Sequence, residues 1–153
     1  MKLTSVARKW KIPECLKPTV SDEDAFRKWL DRKAKSVRKR DRTRNVSVLS
    51  LSTMKQAIVT AIERSNGRDF YTGEALDWHL ISKWVGAEEG TSANDYRRKF
   101  WMLPSVDHDF TDPAKPAFHI CSWRMNDSKN DQSIEEFLAL AGAVRRHLLV
   151  SRR

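Results

Sequence analysis

Apolar residues repeat with the period of a helix in three parts of the chain. Phe26, Trp29 and Leu30 form a short stripe behind Ser21, Asp22, Glu23 and Asp24. A hydroxyl cap with an acidic first turn satisfies free backbone N–H groups and opposes the helix dipole, so a helix is predicted from about Asp22 into the low forties. Beyond Leu30 it turns almost wholly basic, which predicts docking by its first half only. Met54, Ala57, Ile58, Ala61 and Ile62 predict a core helix stopped by Asn66-Gly67. Ser133 with Glu136 three residues on is a capping box, and Ile134, Phe137, Leu138, Leu140, Ala141, Val144 and Leu148 trace a broad apolar face behind it.

Between these helices the pattern changes. Phe70-Tyr71-Thr72-Gly73 reads as a turn with an aromatic brace, and Leu76, Leu80, Ile81 and Trp84 as a short helix ending near Gly86. Glu88 to Ser92 reads as a loop, and Ala93 to Phe100 as one more helical stretch. Trp101 to Val106 and Ala117 to Trp123 are the persuasive strands. Pro113 and Pro116 cannot donate to a ladder and belong in the connection between them, so the pair should be antiparallel. The expected fold class is therefore α+β, mostly helical, with a two-stranded antiparallel unit followed by a helix near the C-terminus. Two parts are expected: a basic N-terminal arm or helix over residues 1–50, and a domain over 51–153 whose strand-strand-helix core covers about 101–148.

Charge is unevenly placed. Of the 153 residues, 1–50 carry fifteen Lys/Arg against six Asp/Glu, whereas 51–153 carry fourteen of each, so the formal net charge of +9 comes from the N-terminal third. The densest run, Arg27 to Arg44, holds ten cations with only Asp31 and Asp41 among them. Such a run usually ends as a solvated face, but its self-repulsion favours a polyanionic partner, and salt-dependent phosphate contact is expected from Arg38, Lys39, Arg40, Arg42 and Arg44. Arg97, Arg98, Lys99 and Arg124 are expected to join them. Cys15 and Cys121 are too few for a disulfide framework or a four-cysteine zinc site, so a reducing cytoplasm is expected. No run approaches the roughly 20 apolar residues of a membrane span.

The candidate chemistry lies around the strands. Asp107-His108 and Asn126-Asp127-Ser128-Lys129 flank an apolar run. Oxygen ligands from Asp and Asn suit a hard cation, and a neutral imidazole beside them can take a proton from water. Taken singly, each segment is also an ordinary turn or helix-entry sequence. His119 alternates with Phe118 and Ile120 and should face solvent or the rim of the site. His79 and His147 read as structural, and Trp29, Trp78, Trp84, Trp101 and Trp123 as core or core-edge anchors.

Asp107-His108, the strand Phe118-His119-Ile120-Cys121 and Asn126-Asp127-Ser128-Lys129, preceded by Tyr71-Thr72-Gly73-Glu74, resemble the HNH, or ββα-metal (His-Me finger), endonucleases. The resemblance spans residues 54–148. It implies a metal-dependent hydrolase of DNA phosphodiester bonds. Asp107 and Asn126 would be ligands of Mg²⁺ or Mn²⁺, with His108 the general base and Lys129 a phosphate contact or helix-start support. No structural zinc is expected, and a homodimer or a larger nuclease complex is compatible with the family. The middle asparagine that often orients the base has no counterpart near Ala117, where a backbone carbonyl or His119 would have to substitute. Asn130 would fall at the third position of the family name. The alternative reading is a non-catalytic nucleic-acid-binding module on a degenerate HNH scaffold. Adjacent strand residues point to opposite faces, so Asp107 and His108 can serve one site only at a strand end or bulge.

Overall fold

The computed structural model describes residues 10–43, 48–83, 92–109 and 117–151. Its elements are α1 (Glu23–Thr43), α2 (Leu51–Arg64), α3 (Ala93–Lys99), β1 (Pro104–Asp109), β2 (Ala117–Ser122), α4 (Trp123–Lys129) and α5 (Ile134–Val150), with 3₁₀ turns at Glu14–Leu16 and Trp78–Leu80. This is a mostly helical α+β fold with one two-stranded antiparallel sheet, as the pattern predicts. Among the described residues no helix is long and apolar enough to cross a membrane.

Most helix boundaries follow local chemistry. Ser50, Ser92, Ser122 and Ser133 each accept a hydrogen bond from the backbone N–H three residues on, and Ser133 with Glu136 completes the expected capping box. At α1 the cap is Asp22 rather than Ser21: its Oδ1 accepts from the N–H groups of Asp24 and Ala25 at 2.9 and 3.0 Å. α2 ends in Asn66 and Gly67, both at positive φ. A Cβ on Gly67 would lie 2.7 Å from Leu16 Cδ2, so a glycine is needed there for both conformation and space.

α1 departs most from expectation. It is buried along its whole length, through Phe26, Trp29, Leu30, Ala34, Val37 and Asp41. These recur at intervals of three and four, so the stripe begun by the aromatics continues in small side chains to the end of the helix. The corrected picture is a helix docked on α2 and on β1, not one docked by its first half. The segment before α1 also joins the core, through Ile12, Leu16 and Val20. One core cluster takes in these residues, α1, α2 and the inward residues Val106, Phe118 and Ile120 of the sheet.

β1 begins three residues later than predicted. Trp101-Met102-Leu103 form a turn after α3, and the ladder runs without a bulge from Pro104↔Ser122 to Asp109↔Ala117. The predicted helix near Leu76 is only the single 3₁₀ turn, and Trp84, Gly86, Arg44, the greater part of the Glu88–Ser92 loop, and Pro113 and Pro116 lie outside the described residues. α5 has no buried residue, and Leu138, Leu140, Val144, Leu148, Leu149 and Val150 are exposed along it.

Candidate active site

Cross-strand partners share a face of the sheet, so the register sorts the polar residues. Asp107 faces the same way as His119, and Asp109 the same way as Ala117, whereas His108 pairs with Phe118 on the opposite side. α4 follows β2 directly and lies against both strands, presenting Asn126 and Lys129, one helical turn apart, to β1.

Asp107 is buried and fully engaged. Its Oδ1 accepts the neighbouring His108 N–H at 2.9 Å, and its Oδ2 accepts the Tyr71 hydroxyl at 2.6 Å and the Lys129 ammonium at 3.0 Å. Tyr71 is brought there by the turn before it. The buried Asp69 carboxylate accepts from Tyr71 N, Thr72 N and, at 2.7 Å, from Ser122 N at the mouth of α4. Gly73, at φ +72°, closes the turn. Burial and the Asp107 carboxylate together push the Tyr71 phenol far above its ordinary range, so it stays a donor.

Asn126 makes a different contact, its Nδ2 lying 3.4 Å from Ser105 Oγ. Asn126 thus approaches the face of β1 that carries Ser105 and Asp107, but the two side chains engage different partners. Asp107 already has its charge balanced by a buried ammonium, and a divalent ion would have to displace it. Among the described residues no group of three His, Cys, Asp or Glu side chains is placed to hold a metal ion. As arranged, the Lys129 ammonium stands beside Asp107 where the resemblance implies the ion.

His108 reaches an element outside the region of resemblance. Its Nε2 lies 2.7 Å from Oδ1 of Asp41, a carboxylate buried at the end of α1. A carboxylate there fixes the tautomer with the proton on Nε2 and makes Nδ1 the basic nitrogen. His108 thus has a side-chain partner in Asp41, on an element the resemblance does not reach. The available sequence signal was slight: Asp41 is one of two acids in a run of ten cations, and the other, Asp31, is accounted for by Lys35 and Lys55 at 2.6 and 2.7 Å.

His119 serves as a strut. Arg64 donates to its Nδ1 at 2.9 Å, its Nε2 lies 3.2 Å from Asp109 Oδ2, and Phe70 stacks on the ring at 3.7 Å between centroids. With Nδ1 accepting, the Nε2 proton is directed at Asp109. Burial holds this imidazole below its ordinary value despite that carboxylate.

A cavity of about 350 Å³ opens over this end of the sheet. His108, His119, Lys129 and Tyr71 all line it, because its walls wrap around the last two residues of β1. The strand end thus does what the geometry of adjacent residues demands: His108 and the lysine that covers Asp107 meet one space, although Asp107 and His108 point apart.

The remaining candidates are distributed more widely. Arg97, Arg98 and Lys99 are exposed in the last turn of α3, and Arg124 is half-buried with Nη2 2.7 Å from Glu74 Oε2. Lys39 and Arg42 are exposed on α1, whereas Arg38 and Arg40 are half-buried, Arg40 Nη2 lying 3.3 Å from the Val106 carbonyl. Lys129 is buried, which directs it to Asp107 and the cavity rather than to open solvent. Asn130 is exposed and ends α4 at φ 51°. Cys15 and Cys121 are free thiols, and burial pushes both upward. No family model matches the chain, and no curated protein or solved structure matches it either.

Proposed function

We propose that the protein is an endonuclease of the ββα type, cutting nucleic-acid phosphodiester bonds with His108 as general base. The observation that carries this reading is the His108–Asp41 pair at the rim of a cavity that Lys129 also lines. In this reading Nδ1 of His108 takes the proton of an attacking water, and the buried Asp41 carboxylate stabilises the imidazolium that forms. Lys129 faces the same space and supplies a positive charge to the phosphate oxygens, while Tyr71 spends its one O–H on holding Asp107. DNA is the substrate expected from the resemblance.

The exposed cations of α1 support a polyanionic partner. Lys28, Arg32, Lys35, Lys39 and Arg42 are all exposed, and their spacing of four, three, four and three places them in one line opposite the buried stripe. At 1.5 Å per residue the ridge is about 21 Å long, enough to follow several phosphates of a nucleic-acid backbone. Asp41, at the end of the same helix, links this ridge to the base.

A second reading, a binding module that does not cut, is favoured by one specific observation: Lys129 neutralises Asp107 where the resemblance implies a divalent ion. Nicking of supercoiled plasmid by wild type and His108→Ala, with Mg²⁺, Mn²⁺ or EDTA, separates the two. The endonuclease reading expects wild-type nicking that falls about 10²–10⁴-fold in the variant, with DNA affinity unchanged. DNA binding without nicking in any of these buffers would leave the binding module. Nicking that EDTA abolishes would mean that Lys129 yields Asp107 to a metal; nicking that survives EDTA would leave the lysine as the resident cation.

A further inference from the structure

A second cleft, of about 340 Å³, lies on the outer side of α4. Three guanidinium groups line it, Arg97 and Arg98 from α3 and Arg124 from α4, together with Trp101 and Trp123. Trp101, expected as a core or core-edge anchor, is 40% exposed. Arg124 lies with its guanidinium carbon 5.8 Å from the Trp101 ring centroid, and Trp123 is half-buried beside Tyr96. Asn94 and Ser128 add hydrogen-bonding side chains around the same opening and Asp127 a carboxylate, while Arg124 is shared with Glu74.

A large indole with 40% of its surface still open beside guanidiniums is well suited to a ligand with a flat π-face and flanking negative charge. We infer that this cleft receives one unstacked base of a single-stranded stretch of nucleic acid, with Trp101 as the stacking surface and Arg97, Arg98 and Arg124 around the adjoining phosphates. The inference rests on the nucleic-acid reading above and narrows it to substrates with a single-stranded, branched or opened segment. An acidic peptide would use the guanidiniums and leave the indole idle. α4 connects the cleft to the candidate active site. Arg124, Asp127 and Ser128 line the cleft, while Asn126 and Lys129 face β1, all within a helix of seven residues, about 10 Å long. A strand seated at Trp101 is thereby led across α4 towards His108.

Fluorescence anisotropy with labelled 12-mers tests this, using single-stranded DNA, the matching duplex and a fully abasic deoxyribose-phosphate oligomer. For the single strand, Trp101→Ala should weaken binding about 5- to 150-fold, the range for losing one base–aromatic stack. Trp101→Phe should retain most of the affinity, and the duplex affinity should change less than twofold. Wild type should bind the abasic oligomer about as weakly as Trp101→Ala binds the 12-mer. Replacing both Arg97 and Arg98 by Gln should lower the salt slope for the single strand by about 1.4, two phosphates' worth. Wild-type affinity of Trp101→Ala for the single strand, or equal losses on single strand and duplex, would overturn the stacking site while leaving nucleic-acid binding intact. So would an acidic peptide displacing the single strand as well as a second oligonucleotide does. Failure of wild type to bind any of the three probes at low salt would instead overturn the nucleic-acid reading itself.

Discussion

Lys33 occupies the side of α1 that faces the sheet, its ammonium 3.4 Å from Ser105 Oγ. Burial, reinforced by Arg32 and Arg40, lowers it to about 8. The sign of the effect follows from linkage. Between about pH 8 and the unfolded value near 10.5 the unfolded chain holds the proton that the folded one has lost, so the folded state gains stability as pH rises through that window. Below pH 8 both states are protonated and burial of the charge costs the full amount, at most about 3 kcal/mol. Lys33→Met should therefore be more stable than wild type at pH 7, and urea titrations from pH 7 to 9.5 should show the two converging. Parallel pH dependences would place the ammonium in water instead. Asp41 belongs to the same scale. Its identity was legible in the sequence but its role was not, because an acid within a basic run looks like local charge balance until its partner 67 residues away is brought beside it.

At the scale of elements, α1 was the hardest to read and carries the most consequence. Its first turn and aromatic stripe were legible from Asp22, Phe26, Trp29 and Leu30, yet the stripe continues through Ala34 and Val37, which contribute little apolar signal beside seven cations. β1 was shifted for a related reason. Trp101, Met102 and Leu103 resemble a strand more than Ser105, Asp107 and Asp109 do, and only the cover supplied by α4, Tyr71 and Lys129 makes a polar strand face viable. The docking of α1 also makes deletion of residues 1–50 a poor probe of binding, because it removes core residues with the charge. Changing Lys28, Lys35, Lys39 and Arg42 to Gln keeps the buried face. These four substitutions should lower the slope of log affinity against log salt by up to about 3.6 on duplex DNA, with thermal stability nearly unchanged. An unaltered slope would assign the ridge another purpose.

At the scale of the whole molecule, the α+β class, the antiparallel pair and the helix capped by Ser133 were legible because turn chemistry and capping are local: Asn66-Gly67, Tyr71-Thr72-Gly73 and Ser133-Glu136 each act within a few residues, whereas α4 had read as a strand end and a turn. What was not legible is how distant parts meet. His108 comes from β1, Asp41 from α1, the lysine from α4 and the tyrosine from the turn after α2, so the candidate site exists only once the core has assembled. If Asp41 orients His108 for proton abstraction, the plasmid-nicking rate of Asp41→Asn should be lower by about 10²-fold or more at pH 7, with circular dichroism and DNA affinity as in wild type. Nicking by Asp41→Asn at the wild-type rate would contradict that role.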